Sequence, residues 1–188
     1  TGTNAVCKHV TGVPNQDVIV VTCDTPVVGR YLSLQILQNE KLGICEVEVY
    51  GEPGATTPPP SSSLSNVALG KATEQSTVGW GGVSSRAVDG SQSGDYRAGT
   101  CMHTASGGDT RPWWAVDLQS AHKVHRVRII NRQDCCTDRL RNFKISVSNQ
   151  MPSPALGQEI TGTNAVCKHV TGVPNQDVIL ITCDTPVV

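Results

Sequence analysis

The chain has 188 residues with 8 cysteines, 18 glycines, 11 prolines and a formal net charge of -1, a balance that suits one or two small extracellular domains better than a cytosolic enzyme. Near neutrality without a long Lys/Arg run leaves no electrostatic footprint for nucleic acid or an anionic membrane, and no apolar stretch is long enough to cross a bilayer as a helix. The even cysteine count fits full pairing, so secretion is inferred from cysteine usage.

The chain opens on "TGTNAVC" without an initiator methionine or signal sequence, and so reads as a processed chain or a fragment. Residues 1–28 return at residues 161–188, altered only where Val20 and Val21 become Leu180 and Ile181. A spacing of 160 residues is a domain period, far too long for a solenoid. The first copy runs on into residues 29–53. There Leu32, Leu34 and Ile36 alternate with Ser33 and Gln35, and "CEVEVY" alternates likewise. "GATTPPPSSS" (54–63) is a Pro/Ser linker that cannot pack a core. Beyond it, a short turn is expected around Ser85 to Val88, and Phe143, Ile145 and Val147 alternate with Lys144, Ser146 and Ser148. These period-two runs predict antiparallel sheets with one wet face, packed as a sandwich. The organisation is therefore the tail of one domain (1–53), a linker (54–63), and a second domain (64–188) lacking its last strands, which residues 29–53 could complete.

"NVALGKAT" (66–73), "RAVDG" (86–90), "CMH" (101–103), "PWWAVDL" (112–118), "NRQDCCTDR" (131–139) and "GRYLSLQIL" with "CEVEV" (29–37, 45–49) together resemble the F-type lectins, the fucose-binding family of fish and invertebrates. "WWAVDL" is shared by many discoidin-like sandwiches, whereas His103 followed by R-x-D-C-C-x-x-R is far more specific. The resemblance implies an all-β jelly-roll fold and ties Cys101 to Cys45. With Cys7–Cys23 and Cys167–Cys183 as the same bridge in the two repeat copies, Cys135 and Cys136 remain for each other.

By the same resemblance His103, Arg132 and Arg139 supply polar contacts to a deoxy sugar, and the Cys135–Cys136 plate supplies an apolar one. Asp134 is expected to orient an arginine rather than touch sugar. Fixed donor forks beside a small rigid apolar surface suit a ligand with hydroxyls on one side and a methyl on the other. The gap from His103 to Arg132 runs about two residues longer than is usual in the family, and a glycine-rich loop at 104–111 would absorb such an insertion cheaply. Trp80 and Tyr96 are candidate selectivity residues because an aromatic face stacks on a sugar ring. Trp113 and Trp114 read as core, and His9, His122, His125 and His169 carry no signal.

A structural Ca²⁺ site is the second implication of the resemblance. It would use Asp89, Thr100 and Glu46 with main-chain oxygens of Arg86, Ser91 and Cys45, a hard-oxygen set suited to Ca²⁺. The alternative is a simple Asp89-Gly90 turn, with Glu46 on the wet face of a strand.

The expected function is a secreted, non-enzymatic lectin that recognises terminal L-fucose on microbial or cell-surface glycans in innate immunity. A discoidin-like adhesion module with another ligand is the alternative. A glycosidase would need two facing carboxylates, and a thiol enzyme would need a reduced Cys135 or Cys136 beside His103. Completion of 64–188 by 29–53 is expected either within one chain, as a circular permutant, or between chains, as a strand swap.

Overall fold

The alternating segments form strands whose apolar residues share one side. The computed structural model describes residues 18–20, 27–53, 64–161, 165–171 and 178–182. The strands are β1 (Val18–Val20), β2 (Val27–Ile36), β3 (Gly43–Pro53), β4 (Ser65–Asn66), β5 (Thr73–Gln75), β6 (Met102–His103), β7 (Trp113–Asn131), β8 (Phe143–Ser148), β9 (Ala165–Val170) and β10 (Val178–Thr182). The helices are single 3₁₀ turns at Ser84–Val88, Tyr96–Ala98 and Thr137–Arg139, the first covering the turn expected at 85–88. The fold is an all-β jelly-roll sandwich.

Strand β7 makes the two layers one structure. Its first part, near 113–117, pairs with β2 and β5, and its second part, 122–131, pairs with β3 and β10 and, at 122–124, with the start of β2. The strand changes direction at Gln119, whose φ of 70° lies in the left-handed region. A bidentate ion pair from Arg30 to Asp117 (2.7 Å for each bond) and a Gln119 N–H bond to the same carboxylate fix that corner. Leu32, Leu34, Ile36, Val47, Val49, Trp114, Val116, Val127, Ile129, Phe143, Ile145 and Val147 fill the space between the layers. Trp113 is also buried, in a smaller cluster with Ala115 and Ile160.

Strands β2 and β3 precede the linker in sequence but lie inside the sheets built from the residues that follow it. β2 pairs with both β7 and β8, and β3 pairs with β4, β6 and β7. Gly51 faces Ser65 and Tyr50 faces Asn66 in the ladder, so the residues flanking 54–63 are neighbours. The repeat is visible as well. β10 lies against β7, and β1 pairs with β10 in parallel, each residue beside its repeat equivalent.

The expected wet face is corrected on β2 and β8. Ser33, Gln35, Lys144, Ser146 and Ser148 are buried, because the irregular stretch 149–160 lies over them. Gln35 donates to the carbonyls of Arg111 and Gln158 and accepts from the Ile160 N–H. The buried Lys144 ammonium donates to Glu159 and to the Ile160 carbonyl. Ser148 donates to the Gln150 carbonyl, and such bonds offset the cost of burying these polar groups.

Candidate functional site

The stretch after β7 is a tight loop built on a buried asparagine. Asn131 donates to the Thr137 carbonyl (2.8 Å) and accepts from the Arg132 N–H (2.8 Å), closing 131–137 into a loop that presents its side chains outward. Arg132 is bound bidentately by Asp134, with Nε and Nη2 each 2.8 Å from a carboxylate oxygen. Its guanidinium lies 4.5 Å over the Tyr96 ring, a cation–π contact. Asp134 also accepts from the Tyr96 N–H at 3.1 Å. The Arg132 fork holds the Asp134 carboxyl well below the usual carboxylate range, and the pair raises the guanidinium in turn.

Cys135 and Cys136 are joined as a vicinal disulfide. In this state neither sulfur is the free thiol that a thiol enzyme requires. Cys136 adopts φ 62° and ψ 28° and opens the 3₁₀ turn Thr137–Arg139, in which the Arg139 N–H donates to the Cys136 carbonyl at 3.1 Å. The disulfide thereby sets where the second arginine emerges. The nearest carboxylate to that guanidinium is Glu40, 3.8 Å from Nε.

His103 is only 1% exposed, packed edge-on against Trp80 (ring centroids 4.8 Å apart) and Tyr96 (5.8 Å). Its Nδ1 lies 2.6 Å from the Thr104 carbonyl. A carbonyl only accepts, so Nδ1 carries the hydrogen and Nε2 of the neutral ring is an acceptor. Burial lowers the His103 pKa, and the charges of Arg132, Arg139 and Lys41 add to the effect. Trp80 is 67% exposed at φ 46°, and its carbonyl accepts from the Tyr96 hydroxyl at 2.7 Å. The sequence places these residues in one site, but it does not show His103 covered by an aromatic pair.

Two glycines explain how the Trp80 loop is fastened. Gly79 donates to the His103 carbonyl (2.8 Å), and the His103 N–H donates to the Gly82 carbonyl (2.9 Å). A Cβ on Gly82 would fall 2.6 Å from the His103 main-chain nitrogen, and one on Gly79 would fall 2.4 Å from the Thr104 oxygen. Gly82→Ala is therefore expected to cost about 1–3 kcal/mol, as overpacking against main chain does, and to lower the denaturation midpoint. An unchanged midpoint would mean that the loop yields without cost.

Of the six residues of the candidate metal set, Cys45 and Glu46 lie on β3, Arg86 in the first 3₁₀ turn, and Asp89, Ser91 and Thr100 on the loops that follow it. Glu46 is fully buried, where the alternative reading placed it on a wet face, and its carboxylate accepts from main-chain N–H groups of Gly90 (3.2 and 3.3 Å) and Asp89. Burial pushes its pKa up to about 7, with the charges of Asp89 and Glu48 adding. Asp89 accepts from the Ser91 N–H. Thr100 donates towards the Ser93 and Asp95 carbonyls, which leaves its oxygen lone pairs unused. Arg86 donates to the Cys101 carbonyl (3.4 Å), and Cys101 is bonded to Cys45. A buried carboxylate short of donors, beside a second carboxylate and several oxygens, is a donor set that a hard cation fits. Among the described residues no cluster of three or more His, Cys, Asp or Glu side chains stands ready to hold a metal, so such a site would depend on carbonyl and hydroxyl oxygens. It is also where the raised carboxyl lies. The 131–139 loop instead holds Asp134, kept ionised by Arg132.

A family model described as "NedA-like, galactose-binding domain" matches residues 86–188. Fucolectin-1 of Anguilla japonica is 33% identical over 129 residues, 65% of this chain and 67% of that protein. The chain belongs to the F-type lectin, or fucolectin, family. The fucolectin of Anguilla anguilla is 27% identical over 135 residues, 69% of this chain and 80% of that protein. The pentraxin fusion protein of Xenopus laevis is 36% identical over 77 residues, 41% of this chain but only 18% of that protein. No solved structure matches.

Within this F-type lectin domain the Cys45–Cys101 bridge is fully buried and joins β3 to the strand-leading segment before β6. Cys7, Cys23 and Cys183 lie outside the described residues, so the pairs Cys7–Cys23 and Cys167–Cys183 are not covered by the structure. Sequence reading passed over Glu40 and Asn131. Asn131 could have been noticed as the polar residue ending an apolar strand, whereas "QNEKLG" looks like any polar turn.

Proposed function

We propose that this F-type lectin domain binds terminal L-fucose on glycans of microbial or cell surfaces, as a secreted recognition protein of innate immunity. The convergence of Arg132, Arg139, His103 and the Cys135–Cys136 plate within one loop system carries this reading. Arg132 is locked by Asp134 and keeps Nη1 and one Nη2 hydrogen for ligand oxygens, while Arg139 offers its fork. His103 Nε2 accepts from a hydroxyl, and the disulfide packs against the apolar side of the deoxy sugar. A ligand that reaches Nε2 displaces the Trp80 ring, which is held by few contacts at its exposure. Trp80 and Tyr96 then flank the sugar and contribute selectivity. Ca²⁺ held by Asp89, Glu46 and Thr100, with carbonyls of Arg86, Ser91 and Cys45, would supply charge that draws the loops together without touching sugar.

Calorimetric titration with free L-fucose tests this. Arg132→Ala and Arg139→Ala are each expected to weaken binding by roughly 10- to 100-fold, the cost of losing hydrogen bonds to a charged donor. Arg132→Ala also leaves Asp134 without its partner, so it is the larger loss. Unchanged titrations for both variants would defeat the proposal.

A further inference from the structure

The two site arginines are held in different ways. Arg132 spends Nε and Nη2 on Asp134 and rests on Tyr96. Arg139 meets a carboxylate only at 3.8 Å, from Nε to Glu40 Oε1. That separation is too long for a hydrogen bond and short enough for a substantial charge attraction. Glu40 itself is fixed. The Lys41 N–H donates to its Oε1 at 2.9 Å, and Arg141 Nη2 donates to its Oε2 at 3.2 Å. The turn that carries it is stapled at both ends: the Leu37 N–H donates to the Asn142 carbonyl, and the Leu42 N–H donates to the Thr104 hydroxyl, with the Thr104 N–H returned to the Leu42 carbonyl.

Charge balance gives this arrangement its purpose. Lys41, Arg132 and Arg139 lie near His103, Arg141 is paired with Glu40 beside Arg139, and Asp134 is committed to Arg132. Without a second anion, Arg139 would swing away from its like-charged neighbours towards water. We infer that Glu40 is a positioning residue of the sugar site, holding Arg139 by charge while leaving that arginine's donors to the ligand. The inference rests on the reading of Arg139 as a sugar contact. It also means that a residue from before the linker sets up a site whose contact residues all follow it.

Glu40→Gln keeps an acceptor for Lys41 and Arg141 but removes the charge. L-Fucose affinity is expected to fall by roughly fivefold in this variant, the upper range for a partly exposed ion pair. The same change made on an Arg139→Gln background is expected to have little further effect, because Glu40 acts through Arg139. A purely structural role would give equal losses in both backgrounds, and that result, or an unchanged affinity in Glu40→Gln, would overturn the inference. The Nε–Hε NMR resonance of Arg139 in ligand-free protein gives a readout independent of sugar. It should shift in Glu40→Gln while that of Arg132 stays in place, and an unmoved Arg139 resonance overturns the inference whatever fucose does. A resonance that moves in Glu40→Gln, combined with a wild type that binds no fucose, would instead overturn the sugar-site reading and leave Glu40 as the residue that holds Arg139.

Discussion

Replacing Cys45 and Cys101 together by alanine is expected to lower the unfolding free energy by about 4 kcal/mol, because in the chain-entropy model the cost grows with the loop that the bridge closes. The two cysteines are 56 positions apart in sequence. The bridge crosses the linker, so it is the covalent tie between the strands before residue 54 and the sandwich after residue 63. Without it β2 and β3 stay in place by ladder bonds and packing alone, while the unfolded chain gains all the freedom of the opened loop. Guanidinium denaturation checks this through the midpoint, and an unchanged slope would show that the surface exposed on unfolding is the same. The matching replacement of Cys135 and Cys136, adjacent in sequence, releases almost no loop entropy and should move stability by less than about 1 kcal/mol. A small loss at the long bridge, or an equal loss at both, would count against the strands being held across the linker in this way.

The legible parts of the sequence were those with local signals. "RYLSLQIL", "CEVEV" and "FKISVS" announce strands because alternation is a two-residue pattern that needs no knowledge of distant chain. "NRQDCCTDR" brings most of the proposed sugar site together within nine residues, so its chemistry can be seen before its shape. The failures are long-range. Lys144 and Ser146 look solvent-facing until "MPSPALGQEI", which has neither period, is found lying across them. Glu40 reaches Arg141 over 101 positions, and nothing in a polar turn signals such a partner. His103 is expected at the sugar contact, but its burial against Trp80 depends on the Gly79–Gly82 turn clamped on its main chain, a feature with no signal in the local sequence.

Glu46→Gln is expected to stabilise the metal-free protein at pH 8 by about 3 kcal/mol, the free energy equivalent of moving a carboxyl from 4.5 to about 7. The folded protein keeps a proton on Glu46 between those two values, whereas the unfolded chain has already released it. Folded stability therefore declines as pH rises through this window, and above 7 the full cost of a buried charge is present. His103 works in the opposite direction, since its lowered pKa removes stability as pH falls below its unfolded value of 6.5. The carboxylates held low, among them Asp134, Glu48 and Glu159, lose their contribution only in more acid solution. Comparing wild type with Glu46→Gln at each pH cancels these terms and leaves the slope due to Glu46. Ca²⁺ should offset most of that difference. A cation bound by ionised Glu46 with Asp89 and Thr100 favours the folded state by about 2.7 kcal/mol at a hundredfold excess over its dissociation constant, so wild type at pH 8 should melt higher with Ca²⁺ while Glu46→Gln barely responds. At pH 5.5 the ion has to displace a proton first and the wild-type shift should shrink. A Ca²⁺ shift of equal size in both proteins would place the ion elsewhere, and no shift in either would remove the metal from the account.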